Sequence, residues 1–184
     1  MWHKILKYYR IFKYRCLSDK LSVKGDFIRH QPILFKGKGK IEVGNRVEVG
    51  IYNSPNFYNT YAYLEARTED SAIYFGNNIH INNNFSAIAF KANIEIQNDV
   101  VIGSNCRIIT SDFHNLKPEN RHLEANFGED VVIERNVFIG DNVTILKGVK
   151  IGENSVLGSG AVVTGNIPKN TVAAGNPARV IRNL

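Results

Sequence analysis

The side chains here that most invite a chemical reading are the histidines, since imidazole ordinarily titrates near neutral pH. There are five: His3, His30, His80, His114 and His122. His114 is set apart by its surroundings, the polar stretch TSDFHNL, with Asp112 two residues before it. It reads either as a base that takes a proton or as an ordinary solvent-exposed loop histidine. Asp112 correspondingly either orients the imidazole or stabilises a turn through its own side chain. His80, His114 and His122 lack the spacing of a three-histidine zinc centre, so no metal is expected. Cys16 and Cys106 are far apart and form no CxxC pair, which fits a reducing compartment. Phe57, Tyr58, Tyr61 and Tyr63 cluster in the chain. Rings of this kind stack on sugars, but a core beneath a loop is the favoured reading.

The elements that must position these residues announce themselves by period. Ile133, Ile139, Ile145, Ile151, Leu157 and Val163 recur every six residues. A second phase follows four residues behind, in Val137, Val143, Val149, Ser155 and Ala161. A period of six is not that of an α-helix, whose faces repeat at 3.6. It suits a short strand followed by a bend. Three such units close a triangular coil, and successive coils stack as parallel strands about 4.8 Å apart. The same period recurs in Ile96, Ile102 and Ile108, in Val43 and Val49, and in Ile73 and Ile79. The expected fold is therefore all-β, a parallel β-helix of hexapeptide repeats. Tyr52 to Asp70 and Ser111 to Asp130 break the phase and are expected to leave the coil and return. The second of these carries His114, and departures from a regular scaffold are where sites are usually built.

Ahead of the repeats, Trp2, Ile5, Tyr9, Phe12 and Cys16 form a stripe at helical spacing, with Lys4, Lys7, Arg10 and Arg15 mostly on the other side. Residues 1–25 are read as an amphipathic basic segment and 26–184 as the β-helix domain. The stripe is expected to pack on the domain or a neighbouring subunit; the alternative is peripheral contact of residues 1–20 with an anionic membrane. Five of the chain's six net positive charges lie in residues 1–20, which leaves no protein-wide basic patch of the kind nucleic acid requires. Neither a membrane-spanning apolar run nor a secretory signal is evident, so a cytoplasmic location is expected.

The run IGDNVTILKGVKIGENSVLGSGAVVTGNIPKNTVAAGNPARVIRNL, with the histidine of TSDFHNL, resembles the hexapeptide-repeat O-acetyltransferases. These include the galactoside and maltose enzymes and those that modify bacterial surface polysaccharides. The likeness is dense from about Ile73 onward and strongest in GSGAVVT and AGNPARVIR. It implies a left-handed β-helix, a homotrimer, and active sites between subunits. It implies acetyl-CoA as donor, a sugar or glycan as acceptor, and His114 as general base. By the same resemblance Asn82 or Asn84 meets the acceptor. Gly140, Gly158, Ser159, Gly160 and Ala161 then line the pantetheine groove, and Thr164, Arg179 and Arg182 lie toward the nucleotide. Two departures stand out. Gly165 replaces a common lysine, whose phosphate contact is either lost or supplied by Lys169, and Phe138 replaces a common tryptophan. The function implied is O-acetylation of a sugar hydroxyl in surface glycan synthesis. The alternatives are N-acylation of an amino sugar, acylation of an antibiotic, and a β-helix scaffold without catalysis.

Overall fold

The computed structural model describes residues 2–184, apart from the side chain of Trp2. After helix α1 (Trp2–Leu17) the chain winds as a three-sided prism of short strands. One coil shows the plan. Ala72–Phe75 lies in the first sheet, Ile79–Ile81 in the second and Ser86–Ala89 in the third; Asn93–Ile96, Val101–Ile102 and Arg107–Ile109 stack on them in the same order. The first and third sheets have six strands each and the second has eight, every pairing being parallel except the last. This is a left-handed parallel β-helix. The strand ladder begins at Ser22–Lys24, ahead of residue 26.

The six-residue period appears in space as columns. Phe75, Ile96, Ile133 and Ile151 are in register in the first sheet. Ile81, Ile102, Ile139 and Leu157 do the same in the second, and Ala87, Ile108, Ile145 and Val163 in the third. All are buried, which removes this apolar surface from water and makes the columns the main source of stability. Ile73 stacks with Ile94 and Val131, so Ile73 and Ile79 belong to the second phase rather than the aliphatic one.

Between strands the chain must bend sharply, and left-handed backbone supplies the bend. Asn84, Asn105 and Asn142 have φ of 61°, 58° and 59° on the edge between the second and third sheets. Their amides link up the edge, Asn84 to Asn105 at 2.9 Å and Asn105 to Asn142 at 3.1 Å. Asparagine tolerates this conformation better than other side chains because its amide bonds locally.

The first interruption is shorter than the sequence suggested. Ala62–Ala66 is already back in the third sheet, paired with Ile33–Gly37, so the excursion spans roughly 50–61 at the second–third edge. Buried Asn83 ties it down through the carbonyls of Ile51 and Pro55, at 3.0 and 2.8 Å. The four aromatics do not form one cluster. Phe57 is buried against Tyr52 and Tyr58, Tyr61 stacks on Tyr14 of α1 at 4.5 Å, and Tyr63 bonds Glu65.

Helix α1 caps the first coil with the face opposite to the one its apolar stripe suggests. Lys7, Arg10, Ile11 and Tyr14 are half-buried, while Ile5, Tyr9, Phe12 and Cys16 are exposed; the side chain of Trp2 lies outside the described residues. Arg10 donates to the carbonyls of Phe57 and Thr60, which makes docking polar as much as apolar. At the other end, Thr171–Ala174 pairs antiparallel with Arg179–Asn183 and closes the last coil. Among the described residues no helix is long and apolar enough to cross a membrane.

Candidate active site

The second interruption leaves the third sheet after Ile109 and re-enters the first at Val131. Its mouth is drawn shut where the Glu129 amide donates to the Thr110 carbonyl at 2.8 Å. Gly128 lies so close to the Phe90 carbonyl that a Cβ would sit 2.0 Å from it, so no other residue fits. Beyond the mouth the loop folds back on itself. His114 bridges Glu124 antiparallel, flanked by Asn115 donating to Leu123 at 3.0 Å and Ala125 donating to Phe113 at 3.1 Å. Phe113 has φ of 63°, held by its amide on Ser111 Oγ at 3.1 Å.

His114 is exposed at a cavity of about 250 Å³ that Asp112, Leu116, Ala125, Phe127 and Lys147 also line. Asp112 does not hold the imidazole; its carboxylate pairs with Lys147 Nζ. Lys147 also lies 3.8 Å from Glu129 and 5.1 Å from the centre of the Phe127 ring. Beneath the loop, the Arg67 guanidinium sits 4.5 Å from the Phe113 ring centre. It forks onto Glu65 at 2.8 and 3.2 Å, and Tyr63 donates to the same carboxylate at 2.9 Å. Burial, then the bond to Glu65, pushes the Tyr63 phenol up to about 12. The Glu65 carboxylate likewise raises the Arg67 guanidinium. Sequence reasoning missed Lys147 and Arg67. Counting repeats would have found Lys147, because it falls on the third–first edge, one coil above the loop's exit.

The other residues singled out from sequence are not beside His114. Asn82, Asn84, Gly140, Gly158, Ser159, Gly160 and Ala161 lie on the second–third edge. Crossing one face from there to the third–first edge takes about four residues at ~3.3 Å each, on the order of 13 Å. Asn82 accepts its neighbour's amide at 2.7 Å, and Asn84 belongs to the amide ladder. Gly140 abuts Ser159, whose nitrogen would lie 2.8 Å from a Cβ there, and Ser159 Oγ accepts the Asp141 amide at 3.1 Å. Gly160, with φ of 76°, faces open space. Ala161 is buried in the core. Thr164 is exposed on the third–first edge, and Arg179 and Arg182 are exposed on the closing strand. Lys169 sits at the remaining edge, its amide against Gly152, whereas Gly165 lies on the third–first edge. Exposed Phe138 lies on the second sheet. His80 is also there, 3.8 Å from Glu48, and His122 is exposed in the loop.

Residues 130–165, within the regular part of the prism, match the family model for bacterial transferase hexapeptide, six repeats. The chain is also similar to O-acetyltransferases. It is 42% identical over 117 residues to the galactoside O-acetyltransferase of Escherichia coli K12, covering 60% of this chain and 56% of that one. It is 34% identical over 115 residues to the polysialic acid O-acetyltransferase of Escherichia coli O1:K1, covering 62% and 38%. The chain spans about half the length of the first curated relatives it matches. Among solved structures, a maltose O-acetyltransferase from Clostridium difficile 630 superposes with TM-score 0.55 at 25% identity, over 100% of this chain and 84% of that one.

Proposed function

We propose that this protein transfers the acetyl group of acetyl-CoA to a hydroxyl of a sugar in a surface glycan or its precursor, at sites assembled between copies of the chain. The observation that carries the proposal is the division of the candidate residues between two edges. The loop with His114 stands on one edge and the small-residue run Gly140, Gly158 to Gly160 on another. A single prism does not bring them together. A neighbouring copy does, if its second–third edge faces this chain's third–first edge, and a closed homotrimer satisfies that for every subunit. The O-acetyltransferases among the relatives support the donor and acceptor classes.

In this reading His114 takes the proton of the acceptor hydroxyl as its oxygen attacks the thioester carbonyl. The tetrahedral adduct collapses, the C–S bond breaks, and the imidazolium returns the proton to the departing sulfur. The products are an O-acetyl sugar and free coenzyme A. Gly160 leaves room for the pantetheine arm at the edge, while Gly140, buried against Ser159, lets the two coils approach closely. Arg179 and Arg182 supply cations toward the phosphates. Asp112 acts through Lys147, fixing the loop rather than the imidazole.

Thiol release from acetyl-CoA is the test, with a panel of sugars, sugar nucleotides and amino sugars. His114→Ala is expected to lose about 10²-fold or more in turnover while keeping coenzyme A affinity. Wild type that binds no coenzyme A would overturn the enzyme reading. Turnover confined to amino sugars would replace O-acylation with N-acylation.

A further inference from the structure

Helix α1 has two faces with different employment. Lys7, Arg10, Ile11 and Tyr14 face the coil, at the three- and four-residue spacing of one helical stripe. Ile5, Tyr9 and Phe12 point the other way, 55%, 63% and 66% exposed, with exposed Cys16 beside them. At about 100° per residue, Lys4 and Arg15 border this outward stripe on one side and Lys13 on the other. All three are exposed, and α1 contains no acidic residue. Docking employs the remaining cations, Lys7 3.4 Å from His30 and Arg10 on two carbonyls.

We propose that this outward face lies in the surface of an anionic lipid bilayer, with Ile5, Tyr9 and Phe12 among the upper acyl chains and Lys4, Lys13 and Arg15 at the headgroups. An apolar stripe bordered by cations on both sides is the form of an interfacial helix. The charge argues for lipid over protein. A bilayer supplies anions along both borders at any register, whereas a protein surface must match each cation individually. The helix is also anchored independently of the stripe. Ser18 Oγ accepts the Phe35 amide at 3.0 Å, and Asp19 accepts from Lys36 and the Gly37 amide at 2.8 and 3.0 Å. The face is therefore available without unfolding anything. The proposal extends the functional reading, because a lipid-linked acceptor would be met at that surface, but it stands on the helix alone and is measured separately from turnover.

The full chain is sedimented with phosphatidylcholine vesicles, with or without about one-third phosphatidylglycerol. Binding to the anionic vesicles is expected, about 10-fold weaker with phosphatidylcholine alone or in high salt. Tyr9→Asp with Phe12→Asp, and separately Lys4→Gln with Lys13→Gln and Arg15→Gln, are each expected to reduce it about 10-fold with unchanged Tm. Wild type that stays in the supernatant with anionic vesicles overturns the proposal, as does binding indifferent to both sets of substitutions. If a second copy covers the stripe instead, sedimentation velocity will show an assembly lost in the Tyr9→Asp, Phe12→Asp variant and no vesicle binding.

Discussion

At the scale of single residues, the Lys147–Asp112 pair fixes the loop that carries His114, and cutting it separates positioning from chemistry. Lys147→Met is expected to lower kcat by about 10-fold with the KM for acetyl-CoA unchanged, since misplacing a reacting group costs rate rather than donor binding. Cys106 offers a reading of stability. Burial pushes its thiol up to about 11 from 9.0, while Sγ donates to the Gly140 carbonyl at 3.0 Å. The folded state therefore holds this proton more tightly than the unfolded chain. That contribution is complete below about pH 9 and is lost as pH rises through about 11. Urea unfolding at rising pH is expected to show a smaller alkaline loss in Cys106→Ala than in wild type. The excursion that carries His114 was legible because its segment breaks a strict repeat. Its support was not, because Lys147 is 33 positions away and Arg67 47 positions before it.

At the scale of elements, the edge asparagines join a backbone need to a side-chain ladder, and two substitutions tell these apart. Asn105→Ala loses both and is expected to cost about 1–3 kcal/mol. Asn105→Gly keeps the left-handed backbone and loses only the side-chain bonds to Asn56, Asn84 and Asn142, so it is expected to cost less in chemical denaturation. Ile108→Ala opens a hole in a column with partners above and below, for about 2–5 kcal/mol. The strands were readable because six-residue periodicity is a direct image of three-sided winding. Helix α1 was readable as a helix, but the side it docks by was not. Periodicity finds the apolar face; what held the helix was Arg10 reaching carbonyls in an excursion whose path has no period.

For the whole molecule, the division of residues between two edges makes a quantitative statement about assembly. In the proposed homotrimer, His114→Ala and Gly160→Tyr are each expected to be inactive when assembled alone. Refolded together in equal amounts, they are expected to recover about one-quarter of the sites, those where an intact loop meets an intact edge. A site confined to one chain recovers none. The C-terminal half of the prism was legible almost to the residue, from Ile133 to Val163. The N-terminal half was blurred because Phe27, Phe35 and Phe75 fill its interior where a uniform aliphatic column would have kept the pattern visible.

Parallel strand stacking gives the molecule a built-in scale. Every coil advances the chain by one strand spacing, ~4.8 Å, whatever the chain does at the edges. An excursion must come back at the height from which it left, so the length of the 111–130 loop is free while its altitude is not. Helix α1 lies at the first coil and the loop leaves between the fourth and fifth, an axial offset on the order of 17 Å. Changing what the loop recognises leaves that figure alone, and inserting one further coil alters it by a single graduation. The prism is a ruler on which the looped-out histidine and the outward face of the helix are two separate marks.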